Sequence, residues 1–345
     1  MSLHVYMNSN SFGTAFCLTT FGESHGPAIG GVIGGCPAGI LLDKSLIENE
    51  LSRRKSGQNN AMSTRKEPDE VKFLSGLFEG KTTGTPIAFL IRNKDAKTSD
   101  YENNKDVFRP SHADFTYQMK YGIRDYAGGG RGSARTLLPC VVAGAIAKQI
   151  LASQGIEIQS DVIQIGEERS KSFSKDEIER ILSRYREEKD TVGAVVQGII
   201  KNTPVGLGEP VFQKFHAVLA QAMMTINAAK GFEIGEGFNA AGMRGSECND
   251  EFTLDGKQIR TKTNHSGGVQ GGITNGEDIV FKVAFKPIPS VMYPQQTVDI
   301  QGNATTIEIQ GRHDVCVVPR VVPMVEAMAA MVTLDFILLK KCNKI

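Results

Sequence analysis

The chain has 345 residues, 40% of them apolar, and 39 basic against 38 acidic side chains, for a net charge of +1. That length allows one large domain or two ordinary ones with an ample core. The near-zero charge argues against a general nucleic-acid or membrane-surface role, and no apolar run of about 18 residues marks a membrane span. Six cysteines, at 17, 36, 140, 248, 316 and 342, form no Cys-x-x-Cys pair and no zinc spacing. Free thiols in a reducing cytoplasm and no metal site are therefore expected. The start lacks the basic and apolar regions of a secretory signal. Residues 1–11 are read as a disordered leader and 12–345 as a single domain.

In chain order, a strand is expected at Ala28–Ile33. An amphipathic helix follows at Leu46–Lys55, ending in Arg53, Arg54 and Lys55, then strands at Val71–Leu77 and Pro86–Ile91. Ser174 with Glu177 reads as a capping box opening a helix with Ile178, Ile181, Leu182 and Tyr185 on one face. A strand is expected at Gly193–Ile200. The next helix carries Phe215, Val218, Leu219, Ala222, Met223 and Ile226, its methionines serving as core filler. Asp278–Phe285 is the clearest strand, apolar at alternate positions, and Thr305–Ile309 is another. The helix near Val325–Leu339 is apolar on most faces and should be deeply buried. Strands and helices do not alternate regularly, which favours α+β with antiparallel sheet over a dinucleotide-binding fold.

Five polar islands lie outside these elements. Phe21-Gly-Glu-Ser-His25-Gly places a histidine between a hydroxyl residue and a glycine. Phe108-Arg109-Pro-Ser-His112-Ala-Asp114 places one between an arginine and an aspartate, a setting suited to proton transfer or anion pairing but also to a surface salt-bridge turn. Gly128-Gly-Gly-Arg131-Gly-Ser-Ala-Arg135 offers bare backbone and two cations, as a phosphate cradle, a linker, an RNA-contacting tract or a turn would. Asn264-His265-Ser-Gly-Gly through Gly276 suits close approach of a flat or phosphorylated ligand, or a plain hairpin. Gly311-Arg312-His313-Asp314 suggests a site mouth or a charged turn. There is no G-x-S-x-G elbow, Walker loop or His-Glu-x-x-His. Together the islands suggest an anionic, multiply phosphorylated ligand set and proton transfer.

Thr20-Phe-Gly-Glu-Ser-His-Gly, Arg109-Pro-Ser-His-Ala-Asp-Phe-Thr-Tyr, Lys120-Tyr-Gly-Ile-Arg-Asp125, Gly-Gly-Gly-Arg131 and Gly311-Arg-His-Asp resemble the chorismate synthase family in residues and order. So do Thr82-Thr-Gly-Thr-Pro, Val205-Gly-Leu-Gly-Glu-Pro, Ile226-Asn-Ala-Ala-Lys-Gly and Asn264-His-Ser-Gly-Gly, and the likeness runs from Phe12 to Leu339. The resemblance implies a β-α-β sandwich, usually a cytoplasmic homotetramer. It implies a 1,4-anti-elimination of phosphate from 5-enolpyruvylshikimate 3-phosphate to chorismate, with reduced FMN and no net redox. By the same likeness Arg131, Gly132, Ser133, Asn227, Ala228, Gly271, Lys286, Pro287, Ile288, Pro289, Ser290 and Arg312 hold the flavin. His25 protonates the departing phosphate, His112 stands beside the flavin, and Asp314 acts in removing the C6 proton. Arg53, Arg54, Arg109 and Arg135 clamp the substrate. NADP belongs to the family's vocabulary, yet no nicotinamide fingerprint is visible, so an external flavin reductase is the expected source of reduced FMN.

Several positions depart from the family pattern. Thr136-Leu-Leu-Pro139-Cys140 replaces a stretch that usually holds an acid and an arginine, with a proline where a helix should run. A proline costs a helix about 3 kcal/mol unless it falls in the first turn. Cys17, Ala127 and Gln296 stand where arginine is common, Gly132 replaces a serine, Gly34 often an aspartate, and Asn60 lacks an arginine. A rival reading is an impaired homologue that binds FMN or anions without turnover. A weaker one is an RNA-binding protein using the Gly-Arg tract.

Overall fold

The computed structural model describes residues 9–55, 67–94, 105–308, 314–318 and 320–341. Two five-stranded antiparallel sheets dominate it. The first runs, edge to edge, Ser11–Phe12, Cys17–Phe21, Ala28–Gly34, Ile87–Arg92 and Val71–Phe73. The second runs Ala229–Ile234, Ile279–Phe285, Ala194–Lys201, Glu157–Ile165 and Glu168–Arg169. Among the described residues seven helices accompany them: α1 (Lys44–Arg54), α2 (Asp114–Tyr121), α3 (Leu138–Ala152), α4 (Lys175–Glu187), α5 (Phe215–Met224), α6 (Gly245–Cys248) and α7 (Val322–Lys340). The class is α+β with antiparallel sheets.

The helices α3 and α7 lie against each other. α3 also meets the Cys17–Phe21 and Ala28–Gly34 strands of the first sheet, and α7 meets Glu157–Ile165 and Ala194–Lys201 of the second. Both helices are apolar almost all round, which a helix tolerates only when every face is covered. The helical segment Ala134–Ala152, of which α3 is the main part, and α7 are long and apolar enough by composition to cross a membrane, but here they are largely buried among the sheets. Gly144 explains how closely they approach: a Cβ there would lie 2.3 Å from the Cβ of Ala327. One apolar cluster runs from Phe16 to Ile337 through both sheets.

Pro139 stands in the first turn of α3, where its missing N–H leaves no helical bond unmade. The departure from the family pattern therefore costs the helix little. The strand expected over Val71–Leu77 is two pieces, Val71–Phe73 and Leu77–Phe78, because Gly76 takes a φ of +80° between them. Ser11, assigned by sequence to the leader, instead pairs with Thr19, and the Asn10 carbonyl accepts from Thr20 N at 2.9 Å. Ladder hydrogen bonding thus begins inside the supposed leader. Cys17, Cys36, Cys140, Cys248 and Cys316 are free thiols; Cys342 falls outside the described residues.

Asp335 of α7 is 5% exposed. Its carboxylate accepts from three successive amides of the turn before the Cys17–Phe21 strand: Thr14 N at 3.0 Å, Ala15 N at 2.6 Å and Phe16 N at 2.8 Å. Hydrogen bonds to a charged acceptor contribute more than neutral ones, and orphaning buried donors is costly. Asp335→Ala is expected to lower folding stability by about 3 kcal/mol, with a smaller loss for Asp335→Asn. Urea unfolding checks this, as a lower midpoint at an unchanged slope; an unmoved midpoint would show that water satisfies the amides equally well.

Candidate active site

The register of the second sheet gathers half of the site. Ala229 pairs with Phe285 at the end of two neighbouring strands. The residues just before one strand and just after the other, Asn227–Ala228 and Lys286–Ser290, therefore lie together. Ala228, at a φ of +68°, turns its carbonyl to accept from Lys286 N at 2.9 Å. α1 brings Arg54 at its C-terminal end, the loop before α2 brings Arg109, Ser111 and His112, and the chain entering α7 brings Asp314, Arg320 and Met324. These side chains, with Gly128 and Gly132–Ala134, line a pocket of about 320 Å³ whose walls also include Ile288, Pro289, Val317 and Val321.

The larger concavity, about 890 Å³, lies along Asn202–Val205 and Lys257–Arg260. It is lined by no histidine or carboxylate, and its Arg260 is committed to the Gly276 carbonyl and to Glu277. The smaller pocket holds the chemistry.

Charge in that pocket is unbalanced. Arg54 is 4% exposed and gives one hydrogen bond, from Nη2 to the Ala134 carbonyl at 2.9 Å. Its buried Nε has no acceptor among the described residues, and neither has the Nε of Arg320. Burial first, then the Arg320 and Arg135 charges, push the Arg54 guanidinium down to about 9, against the pull of Asp69 and Asp314. At neutral pH it remains a cation. Arg320 pairs with Asp314 at 2.8 Å. Buried guanidinium nitrogens without acceptors are rare because the cost is high. They fit an anionic ligand that brings the missing oxygens.

Arg53, adjacent in sequence, turns elsewhere. Its guanidinium bonds Glu326 at 2.6 and 2.8 Å and Glu50 at 2.9 Å, and Lys148 joins both carboxylates. The two cations and two anions of this cluster neutralise one another, and Arg53 is not among the pocket residues. Arg135 is likewise occupied, by Asn93 Oδ1 at 2.7 Å and Asp69 at 2.9 Å.

The glycine run makes room for histidines rather than converging on a phosphate. Gly128, Gly129 and Gly130 all have positive φ, of +65°, +84° and +51°. A Cβ on Gly128 would lie 2.0 Å from Cε1 of His25, and one on Gly129 would lie 2.9 Å from Cε1 of His112. His25 thus abuts the wall residue Gly128, with Ser24 Oγ 3.0 Å from its Nδ1. Arg131 points away from the pocket lining and ties the loop to the first sheet, bonding the Gly22 carbonyl at 3.0 Å, Thr20 Oγ1 at 2.8 Å and Asn10 Oδ1 at 2.9 Å.

Of the other expected flavin contacts, Gly132, Ser133, Asn227, Ala228, Lys286, Ile288, Pro289 and Ser290 line the pocket, and Pro287 lies between two that do. Asn227 Nδ2 bonds the Gly132 carbonyl at 2.9 Å, and Lys286 Nζ bonds the Ser111 carbonyl at 2.9 Å. Gly271 sits apart, in the turn between the Val269–Gln270 and Ile273–Thr274 strands, whose residues border the larger concavity. Asn264–Gly276 is thus a hairpin region, with His265 paired to Glu236 at 3.0 Å. Arg312 and His313 lie outside the described residues.

Sequence reasoning missed Arg320 and undervalued Asp114. A charge within Val317-Val-Pro-Arg320-Val-Val was the available signal, since arginine inside an apolar run is seldom buried without a ligand or partner. Asp114 is 3% exposed and gathers three partners. Arg109 Nε reaches it at 2.7 Å, His112 Nδ1 at 2.9 Å and Arg124 Nη1 at 3.0 Å.

Fold and pocket together define an α+β protein with a cation-rich cleft built for a multiply charged small anion, flanked by two histidines and a carboxylate. A family model described as chorismate synthase matches residues 16–338. A chorismate synthase of Parabacteroides distasonis is 53% identical, covering 97% of this chain and 99% of the relative; one of Christiangramia forsetii is 54% identical over 98% and 100%. A solved structure described as the crystal structure of chorismate synthase superimposes with a TM-score of 0.75 at 30% identity, covering 95% and 93% of the two chains. The chain belongs to the chorismate synthase family.

Two measurements check the site geometry. Gly128→Ala forces a methyl into the His25 ring at an unfavourable φ and is expected to lose at least tenfold in ligand affinity or turnover while remaining folded, by circular dichroism (about 1–3 kcal/mol of local strain). Burial would raise the Asp114 carboxyl, but the hydrogen bonds and charges of Arg109 and His112 outweigh it and hold the group well below the carboxylate range. A depressed folded value stabilises above the unfolded value of about 4 and is lost as pH falls below it. The wild-type urea midpoint should therefore drop more steeply below about pH 4 than that of Asp114→Asn; parallel curves would show that the carboxylate is not so held.

Proposed function

We propose that this chain eliminates phosphate from 5-enolpyruvylshikimate 3-phosphate to give chorismate, with reduced FMN bound in the pocket beside the substrate. The observation that carries the reading is the pair of buried guanidinium nitrogens, on Arg54 and Arg320, that lack acceptors among the described residues, in a pocket shared with His112 and Asp314. A substrate with a phosphate and two carboxylates supplies such acceptors, and a closely spaced cation set offsets its self-repulsion.

The residues present fit the flavin. Ser133, Asn227, Lys286 and the backbone of Ala228 and Ile288–Ser290 offer polar contacts, while Pro289, Val317, Val321 and Met324 offer an apolar wall for a flat ring. Reduced FMN, when bound, supplies electron density that weakens the C–O bond to phosphate. The protein's own residues do the rest. Arg54, Arg320 and the part of Arg109 not committed to Asp114 hold the anionic groups. Asp314 accepts the C6 proton, a double bond forms between C6 and C1 as the ring's C1=C2 double bond moves to C2=C3, and the C–O bond at C3 breaks. His25 gives a proton to the departing phosphate, and His112, as imidazolium, stabilises negative charge in the pocket.

The layering of α3 and α7 between the two sheets supports a β-α-β sandwich, and the single apolar cluster supports one domain from residue 12 onward. A cytoplasmic homotetramer served by an external, NADP-dependent flavin reductase completes the proposal. Pro139 in the first turn of α3 removes one ground for an impaired homologue.

The test is anaerobic: protein, chemically reduced FMN and 5-enolpyruvylshikimate 3-phosphate, with phosphate and chorismate followed together. Equal release of both is expected, with turnover reduced by about 10²-fold or more in His112→Ala and Asp314→Ala, the usual range for proton-transfer groups. Arg54→Ala should weaken substrate binding by about 2–5 kcal/mol. FMN binding without product from the wild type would overturn the assignment.

A further inference from the structure

The Asp114 carboxylate is held from every side. Oδ2 accepts from Arg109 N at 3.2 Å and Arg109 Nε at 2.7 Å; Oδ1 accepts from Arg109 Nη2 at 2.9 Å and is 3.0 Å from Arg124 Nη1. Arg124 is fixed in turn by the Lys105 and Val107 carbonyls, at 2.6 and 3.1 Å, and its guanidinium lies 5.4 Å from the Phe108 ring centre. Phe108 packs edge-on against Phe115 of α2. Asp114 also opens α2, where free amides and the helix dipole favour negative charge. So oriented, the carboxylate cannot rotate away from its third partner, His112 Nδ1, at 2.9 Å.

We propose that Asp114 is the positioning residue for His112, taking the Nδ1 proton into a fixed hydrogen bond so that Nε2 is the nitrogen left to meet a ligand in the pocket. A carboxylate flanked by two guanidiniums is ionised and can only accept, so Nδ1 must be the donor. The neutral ring is then the Nδ1–H tautomer with a bare Nε2, and the protonated ring donates from Nε2. Gly129 supports the arrangement from the other side, since a Cβ there would stand 3.2 Å from Nε2 and close off that edge. The sequence spacing Arg109-Pro-Ser-His112-Ala-Asp114 is thereby explained: the carboxylate folds back over the turn that Ser111, at a φ of +58°, creates. Asp114 touches neither ligand nor reacting atom; it acts through His112. Its effect on turnover rests on the reading given under Proposed function, whereas the tautomer does not.

The test uses full-length protein with ¹⁵N-labelled imidazoles, recorded by two-bond ¹H–¹⁵N correlation at about pH 9, where histidines in general are neutral. His112, assigned by the loss of its signals in His112→Ala, is expected to show the proton on Nδ1 and a bare Nε2. In Asp114→Asn, whose amide can offer a donor to Nδ1, the proton should move toward Nε2. That variant should also lose about 10- to 100-fold in kcat, the range typical of residues that orient a reacting group, with KM moving by less than about threefold. A wild-type ring protonated on Nε2 overturns the proposal, as does an Asn variant with an unchanged tautomer or with turnover within about twofold of wild type. If the Asn variant does not fold, the wild-type spectrum alone decides. If the wild type yields no chorismate, the functional reading falls and the tautomer still judges the positioning.

Discussion

A buried cation facing a second cation is the constraint around which this site is organised. Arg53 and Arg54 follow one another at the end of α1, about 100° apart around the helix, and so enter two different surroundings. Arg53 meets Glu50, Glu326 and Lys148, where charge sums to zero and the cluster ties α1, α3 and α7 together. Arg54 meets Arg320 and Arg135 as well as Asp69 and Asp314, with a single carbonyl as its hydrogen-bond acceptor among the described residues. The first setting is complete without a ligand. The second is not, and the energy missing from it is what an arriving anion recovers: an opposite charge near 4 Å is worth about 4 kcal/mol at an effective dielectric of 20.

The two histidines are placed around that charge by backbone rather than by side-chain packing. The consecutive positive-φ glycines remove the Cβ atoms that would otherwise occupy the space of His25 and His112. One histidine comes from the first sheet's turn and the other from the loop before α2, so a single glycine loop sets the relation of two distant segments. Arg131 then pins this loop to Thr20 and Gly22, an architectural use of a side chain that its sequence neighbours suggested for ligand contact.

Much of the scaffold was readable beforehand because its periodicity is strong. Ile279–Phe285 alternates in burial at every position, and α4 forms behind the Ser174–Glu177 capping box. α3 carried no periodic signal of its own because Pro139 reads as a breaker until its place in the first turn is known, although the family pattern places a helix there. The Glu157–Ile165 strand escaped notice because its polar Gln159, Ser160 and Asp161 mask the pattern. At the site, residue types and order pointed to anion chemistry, and the family resemblance sharpened that to a reaction. What they could not convey is which arginines are already occupied. Arg53 with Glu326, Arg131 with Thr20 and Arg135 with Asn93 pair across 42 to 273 residues of sequence, and no local spacing records those pairings.

The bond between Asp335 and the amides of Thr14–Phe16 spans some 320 positions of chain. Synthesis proceeds at about 5–20 residues per second, so the first sheet waits roughly a quarter of a minute to a minute for the carboxylate that completes its opening turn. α7 is also the element that reaches the second sheet's Glu157–Ile165 and Ala194–Lys201 strands. The nascent chain therefore carries the second sheet, and the face of α3 that meets α7, uncovered until α7 leaves the ribosome. Maturation waits on the emergence of α7, and a message truncated shortly before it would yield a sticky, chaperone-dependent product rather than a smaller working enzyme.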